Sequence, residues 1–348
     1  MKTLLKMNLR RWFQHPVFWA FWIFTLFFGI FLGLGAPTNN YIAFDPTFTL
    51  VPTILYMHAM MLTAMICMQH KNGTLRNKVI AGKRKGQIFL AELLAALAAA
   101  AAVWFALLAP VIGIAYPVIR NLPANRLAAA CISLLASYLI TAALSTLFGL
   151  VIRRQIPALL LCLLTMFVLV AAAQAIPNAL KIPELFVNKL QYADPWEITD
   201  YRTERGEYNG KTAWIEKLYF PKDSGVHWNS DGILADKAGN PVDSTGNPLP
   251  ADMQPTRKER EISGYVKEPL RSVLTVCDRF NPFRTIDCAG TQFLYETNET
   301  KSEELQKKNQ AERDEAYAVI VSYLPWQLAL VAMTGLAGWL LFRRKELL

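Results

Sequence analysis

Fifteen residues between two long apolar runs, Asn72–Gly86 (NGTLRNKVIAGKRKG), gather Arg76, Lys78, Lys83, Arg84 and Lys85 with no acid among them. Groups of this kind grip a partner surface rather than transform a substrate. Asn72 or Thr74 is placed to cap a short helix, Leu75 and Val79 share one face at i and i+4, and Gly82 stops it. A short helix held between two long ones is a lever, because force on it moves both neighbours. Two further polar residues lie in or beside apolar runs. Glu92 follows Gln87 by five residues, and an ion pair with Lys85 or Arg84 is favoured over a proton relay. His58 is read as a hydrogen-bonded packing residue rather than a substrate or proton site. Cys277 and Cys288 have ten residues between them. An oxidising compartment favours a bridge over two buried free thiols. Metal binding is disfavoured, since His227 is the one nearby softer ligand and the spacing fits no zinc pattern. No nucleophile–His–acid set or metal-ligand cluster is evident, and no phosphate-cradling G-x-x-x-x-G-K-[ST] loop occurs. The chain therefore reads as a non-enzyme with no cofactor of its own.

These residues are positioned by an unusual chain. Of 348 residues, 53% are hydrophobic and only 18% charged, well short of the roughly one quarter charged in soluble domains. Six windows hold no charged residue: Trp12–Phe44, Pro46–His70, Leu93–Ile119, Leu127–Ile152, Gln155–Leu180 and Ala316–Phe342. The shortest is 25 residues, and a bilayer span needs about 20. A soluble enzyme and a disordered chain are both excluded. Residues 177–317 carry 19 basic and 24 acidic side chains, so the net +9 of the whole chain joins a basic membrane part to a mildly acidic insert. Nucleic-acid binding is not indicated, because the basic residues lie in short stretches beside the spans.

Those stretches set a topology. Lys2, Lys6, Arg10 and Arg11 precede span one, His70–Gln87 with Lys71, Arg76, Lys78, Lys83, Arg84 and Lys85 separates spans two and three, Arg153 and Arg154 separate four and five, and Arg343, Arg344 and Lys345 follow six. Positive loops stay cytoplasmic, so both termini are expected there and the 177–317 insert outside. Gly33-Leu34-Gly35 before Ala36 resembles a signal cleavage site, but the Val17–Gly35 run is longer than a signal core and is read as a span. Residues 1–15 are expected to form an interfacial amphipathic helix, with Leu5, Leu9, Trp12 and Phe13 on one stripe. Residues 16–176 hold spans one to five, with the elbow near 72–82, and 318–348 hold span six and the basic tail. Ala95–Ala102 is suited to close helix packing. Pro110 and Pro117 are expected to kink or end their helix, and Pro325 to break the last one. Trp12, Trp19, Trp104 and Trp326 are candidate interfacial anchors. The insert offers turn signals such as Asn209-Gly210 between strand candidates Ala213–Phe220 and Ile233–Asp236. Thr300-Lys301-Ser302-Glu303 fits a capping box.

The segment GTLRNKVIAGKRKGQIFLAELL resembles the cytoplasmic loop of permease subunits of the ABC type-2 transporter family, where a similar G-T-[LI]-R-N-K stretch precedes the third span. Leu324-Pro325-Trp326-Gln327 and the Gly338–Leu347 tail are similar to the family's last span. The resemblance covers about 1–180 and 316–348; the insert is larger than is usual there. It implies the six-helix ABC type-2 permease fold of a mainly α integral membrane protein; the turn and strand pattern of the insert itself adds an α+β extracytoplasmic domain between spans five and six. It further implies a plasma-membrane exporter subunit, a partner ABC ATPase that holds ATP and magnesium, and a second permease copy or a paralogue. By this similarity Gly73, Thr74, Leu75, Arg76, Asn77 and Lys78 would form the helix that docks on the ATPase. A solvated basic loop serving topology alone is the plainer reading of the same residues. A membrane-anchored extracytoplasmic sensor or assembly protein is the alternative function.

Overall fold

The computed structural model describes residues 1–38, 45–119, 123–181, 270–292 and 303–344, with short pieces between 185 and 263. The described residues are mostly helical. Helix α1 is Lys2–Gln14, α2 Pro16–Thr38, α3 Asp45–Lys71, α4 Thr74–Ile80, α5 Lys85–Ile119, α6 Ala124–Val151 and α7 Gln155–Lys181. After a stretch with short strands come α8 Leu270–Phe280, α9 Pro282–Gln292 and α10 Glu303–Arg344. Six of these helices, α2, α3, α5, α6, α7 and α10, are long and apolar enough to cross a membrane. They fall on the six charge-free windows, as the absence of charge over more than 20 residues requires.

The chain divides into two compact units, Met1–Gln174 with Cys277–Leu348, and Ala175–Val276. The segment 177–317 thus divides within α8. The apolar face of α9, with Phe283, Ile286 and Ala289 buried, packs with the spans.

In the first unit α6 is central, packing on α3, α5, α9 and α10. Ser133, Ser137, Thr141 and Ser145 recur every fourth residue on α6 and are buried. The first three return their hydroxyl protons to backbone carbonyls of their own helix, and Ser137 also reaches Pro282 O at 3.2 Å. The alanine-rich stretch of α5 packs closely: Ala95, Ala96, Ala99 and Ala100 are fully buried. Helix α2 meets it through Gly29 and Gly33. A Cβ on Gly29 would lie 2.5 Å from Leu107 O, and one on Gly33 3.1 Å from Pro110 O. This small-xxx-small spacing lets two backbones approach. Pro325 does not break α10, and α5 runs through Pro110 and Pro117 to Ile119. Within a membrane bundle neighbouring groups re-satisfy a proline's lost backbone bond, so the sequence expectation of a break fails at Pro325.

In the second unit, β1 Leu185–Asn188, β2 Tyr201–Tyr208, β3 Lys211–Leu218 and β6 Arg260–Ser263 form one sheet of order β2-β3-β1-β6. Strand β3 pairs antiparallel with β2 and parallel with β1. A second pair joins β4 His227–Trp228 to β5 Leu234–Ala235. The strand candidates Ala213–Phe220 and Ile233–Asp236 overlap β3 and β5. The Asn209-Gly210 turn signal and Thr300–Ser302 of the capping box lie outside the described residues.

Candidate functional site

The elbow between α3 and α5 is a seven-residue helix, α4, set off by two glycines. Gly73 sits at its N-cap with φ 65°, so the cap is neither Asn72 nor Thr74. A left-handed residue is needed to turn the chain out of α3, and glycine adopts that conformation without steric cost. At the other end Gly82 has φ 75°. Lys83 N donates to Lys78 O at 3.1 Å and Gly82 N to Val79 O at 2.9 Å. This paired closure is the Schellman stop that a glycine just beyond a helix allows. Leu75 and Lys78 are buried, whereas Arg76, Asn77 and Ile80 are exposed.

Lys78 lies on the expected short helix but turns inward. Its side chain is only 5% exposed. Its Nζ donates at 2.9 Å to Asn8 Oδ1 on α1 and at 2.9 Å to Gln69 Oε1 on α3. It also stands 3.7 Å from Glu92 Oε2 on α5. Glu92 is fully buried, and its Oε1 accepts from Arg11 Nη2 at 2.5 Å and Trp12 Nε1 at 3.0 Å. Glu92 therefore pairs with Arg11 and Lys78, not with Lys85 or Arg84. Trp12, expected at an interface, is buried as a donor to this acid. Helix α1 docks through Leu4, Asn8 and Trp12, one residue per turn on a single face, and packs on α5. Burial pulls the Lys78 ammonium down to about 8; Glu92 opposes the shift and Arg11 adds to it. Four helices, α1, α3, α4 and α5, thus meet on one buried acid and one buried lysine.

The four basic segments converge on the same end of the bundle. His70, Lys71, Arg76, Arg153 and Arg154 line a cleft of about 790 Å³ between the α3–α4 elbow and the α6–α7 turn. His70 Nε2 lies 3.1 Å from Leu150 O across the base of that turn. Arg84, Lys85, Trp339 and Arg343 line another cleft, of about 530 Å³.

Elsewhere the polar residues serve packing. His58 is fully buried between Phe21, stacked at 5.8 Å, and Tyr138 at 5.3 Å. Neither ring nitrogen has a hydrogen-bond partner among the described residues, so ring contacts take the place of the expected hydrogen bond. Cys277 and Cys288 are free thiols, the first exposed on α8 and the second buried on α9. The expected bridge is not formed, because the chain turns at Asn281 and the two helices carry the thiols into different surroundings. That turn is a polar junction the sequence reading missed. Asn281 Oδ1 accepts from Phe283 N at 3.0 Å and its Nδ2 donates to Leu169 O at 2.7 Å. Gln327 Nε2 on α10 donates to Asn281 O at 3.2 Å and Thr285 Oγ1 at 2.8 Å. Asn281-Pro282, a capping residue followed by proline at the first helical position, is a signal that could have found it. Tyr323 OH donates to Asp278 Oδ2 at 2.9 Å; burial pushes the Asp278 carboxyl up, with Tyr323 and Arg284 opposing.

Six helices of spanning length and a polar core closed at one basic end are the features of a mostly helical, multi-pass membrane protein. No family model, curated protein or solved structure matches the chain. No cluster of three metal-ligating side chains occurs among the described residues.

Proposed function

We propose that this chain is the permease subunit of an ATP-driven exporter of the ABC type-2 kind. It has no catalytic site and works with a separate ATPase, which holds ATP and magnesium, and with a second permease copy or a paralogue. Both termini and the α4 elbow face the cytoplasm of the plasma membrane, and the α+β insert lies outside. The observation carrying this reading is the two-sided character of α4. Its inner face, Leu75 and Lys78, is fastened to α1, α3 and α5, while Arg76, Asn77 and Ile80 are left exposed. A basic loop needed only for topology requires neither the glycine-bounded helix nor the buried lysine. The partner's nucleotide states shift the permease between inward- and outward-facing forms only if they bind those forms with different affinity. Arg76, Asn77 and Ile80 are the docking residues in this reading, with Lys78 an internal strut.

The test is purification of the full chain with its associated proteins from detergent-solubilised membranes. A P-loop ATPase is expected in the complex, and Arg76→Glu should reduce its recovery at least about tenfold, since charge reversal at a docking contact costs more than 1.4 kcal/mol. Recovery with no nucleotide-hydrolysing companion favours the anchored sensor instead.

A further inference from the structure

We propose that the cleft between the α3–α4 elbow and the α6–α7 turn binds the phosphate of an anionic phospholipid, with one acyl chain laid along α7. The cleft holds three arginines, a lysine and a histidine from two separate parts of the chain, and among the described residues no acid lines it. Arg153 and Arg154 fall between the end of one span at Val151 and the start of the next at Gln155, at the level where headgroups lie. At about 790 Å³ the space is far larger than a lone phosphate, whose oxygens would reach only some of these cations at once.

The second observation is apolar and independent of the charges. Ile156 lines the cleft itself and is 71% exposed. From it Leu160, Leu164 and Phe167 continue along α7, 63%, 58% and 63% exposed. Their spacing places them on one helix face. Eleven residues of helix rise about 16 Å, close to half of the roughly 30 Å hydrocarbon thickness, which is the depth of one leaflet. A cationic cup opening onto an apolar track one leaflet long matches a negatively charged headgroup with its tail. A zwitterionic headgroup would bring a quaternary ammonium into a cleft where the described lining offers five basic side chains and no carboxylate. Basic pockets between spans recognise anionic lipids by this combination. The inference does not rest on the transport reading, since an anchored sensor would carry the same cleft. Because Arg76 belongs both to the cleft and to α4, a bound lipid would abut the elbow.

The experiment is native mass spectrometry of the full-length protein in detergent, titrated with phosphatidylglycerol and, separately, phosphatidylcholine. Phosphatidylglycerol should be retained preferentially. Arg154→Gln should weaken its retention about fivefold, the amount expected for one surface cation, and Ile156→Gln should weaken it without a charge change. Arg343→Gln, in the other basic cleft, should leave it unchanged. Equal retention of the two lipids overturns the proposal, as does wild-type retention by both cleft variants. Displacement of the lipid by millimolar inorganic phosphate alone would make this a soluble-anion site and overturns the proposal too. Should Arg154→Gln fail to insert, Ile156→Gln, which leaves the topology charges intact, decides the matter.

Discussion

Glu92 holds two cations, Arg11 at Oε1 and Lys78 beside Oε2, and the consequences of removing it can be ranked. Glu92→Gln leaves Lys78 buried with no counter-charge and frees Arg11, which is partly exposed and can turn to solvent. Breaking a buried pair from one side costs on the order of 3 kcal/mol. The loss should appear as faster maleimide labelling of the buried Cys67 and Cys162 in detergent. Adding Lys78→Met should restore much of it, since the orphaned charge is then gone; equal damage in the single and double variants would show that Lys78 is not the charge left stranded. Proton linkage gives a second expectation. Lys78 is lowered from 10.5 to about 8 in the fold. Between those values the unfolded chain binds more protons than the folded one, so stability rises with pH across that window. Unfolding midpoints measured from pH 7.5 to 10.5 should climb in the wild type and be flatter in Lys78→Met. The acid was conspicuous in the sequence, but its partners were not. Arg11 is 81 residues away and reaches Glu92 only through the docking of α1. Lys78 was legible in principle: it stands three residues after Leu75, on the same helical face, and that spacing argues for the inside.

At the scale of elements, close helix approach is carried by glycines whose missing Cβ is filled by a neighbour. Gly29 faces the carbonyl of Leu107, which cannot give way. Gly29→Leu should destabilise the α2–α5 pair by roughly 1–3 kcal/mol, the usual cost of overpacking. Gly113, on α5 with nothing near its Cβ position, is the matched control. Gly113→Ala should be neutral or stabilising by up to about 1 kcal/mol, from helix propensity alone. Thermal unfolding of the two purified variants separates these outcomes. The spans were legible because excluding charge over 25 or more residues leaves few other structures. Pro325 misled because the water-based rule that proline ends a helix does not transfer to a bundle. The insertion of α9 among the spans was illegible for another reason: its short apolar face of Phe283, Ile286 and Ala289 is too brief to stand out from a soluble helix.

At the scale of the whole molecule, the four basic segments identified along the chain meet at one end, while Arg126 pairs with Asp314 at the other. Sidedness can therefore be tested with one reagent. A membrane-impermeant maleimide should label the exposed Cys277 in intact cells and, with Cys277→Ser, should reach Asn77→Cys only after permeabilisation; the reverse pattern would invert the proposed topology, and labelling of both sites in intact cells would abolish it. Helix α10 carries a mechanical consequence. Its 42 residues make a rod of about 63 Å, twice the hydrocarbon thickness. Gln327, clasped by Asn281 and Thr285, divides it into arms of about 36 and 26 Å. With that clasp as fulcrum, a ten-degree rock would swing the far tips in opposite senses, by about 6 Å at the longer arm and about 4.5 Å at the shorter. A clamp on Glu303 would then be felt at Arg344 with no change in any residue between them.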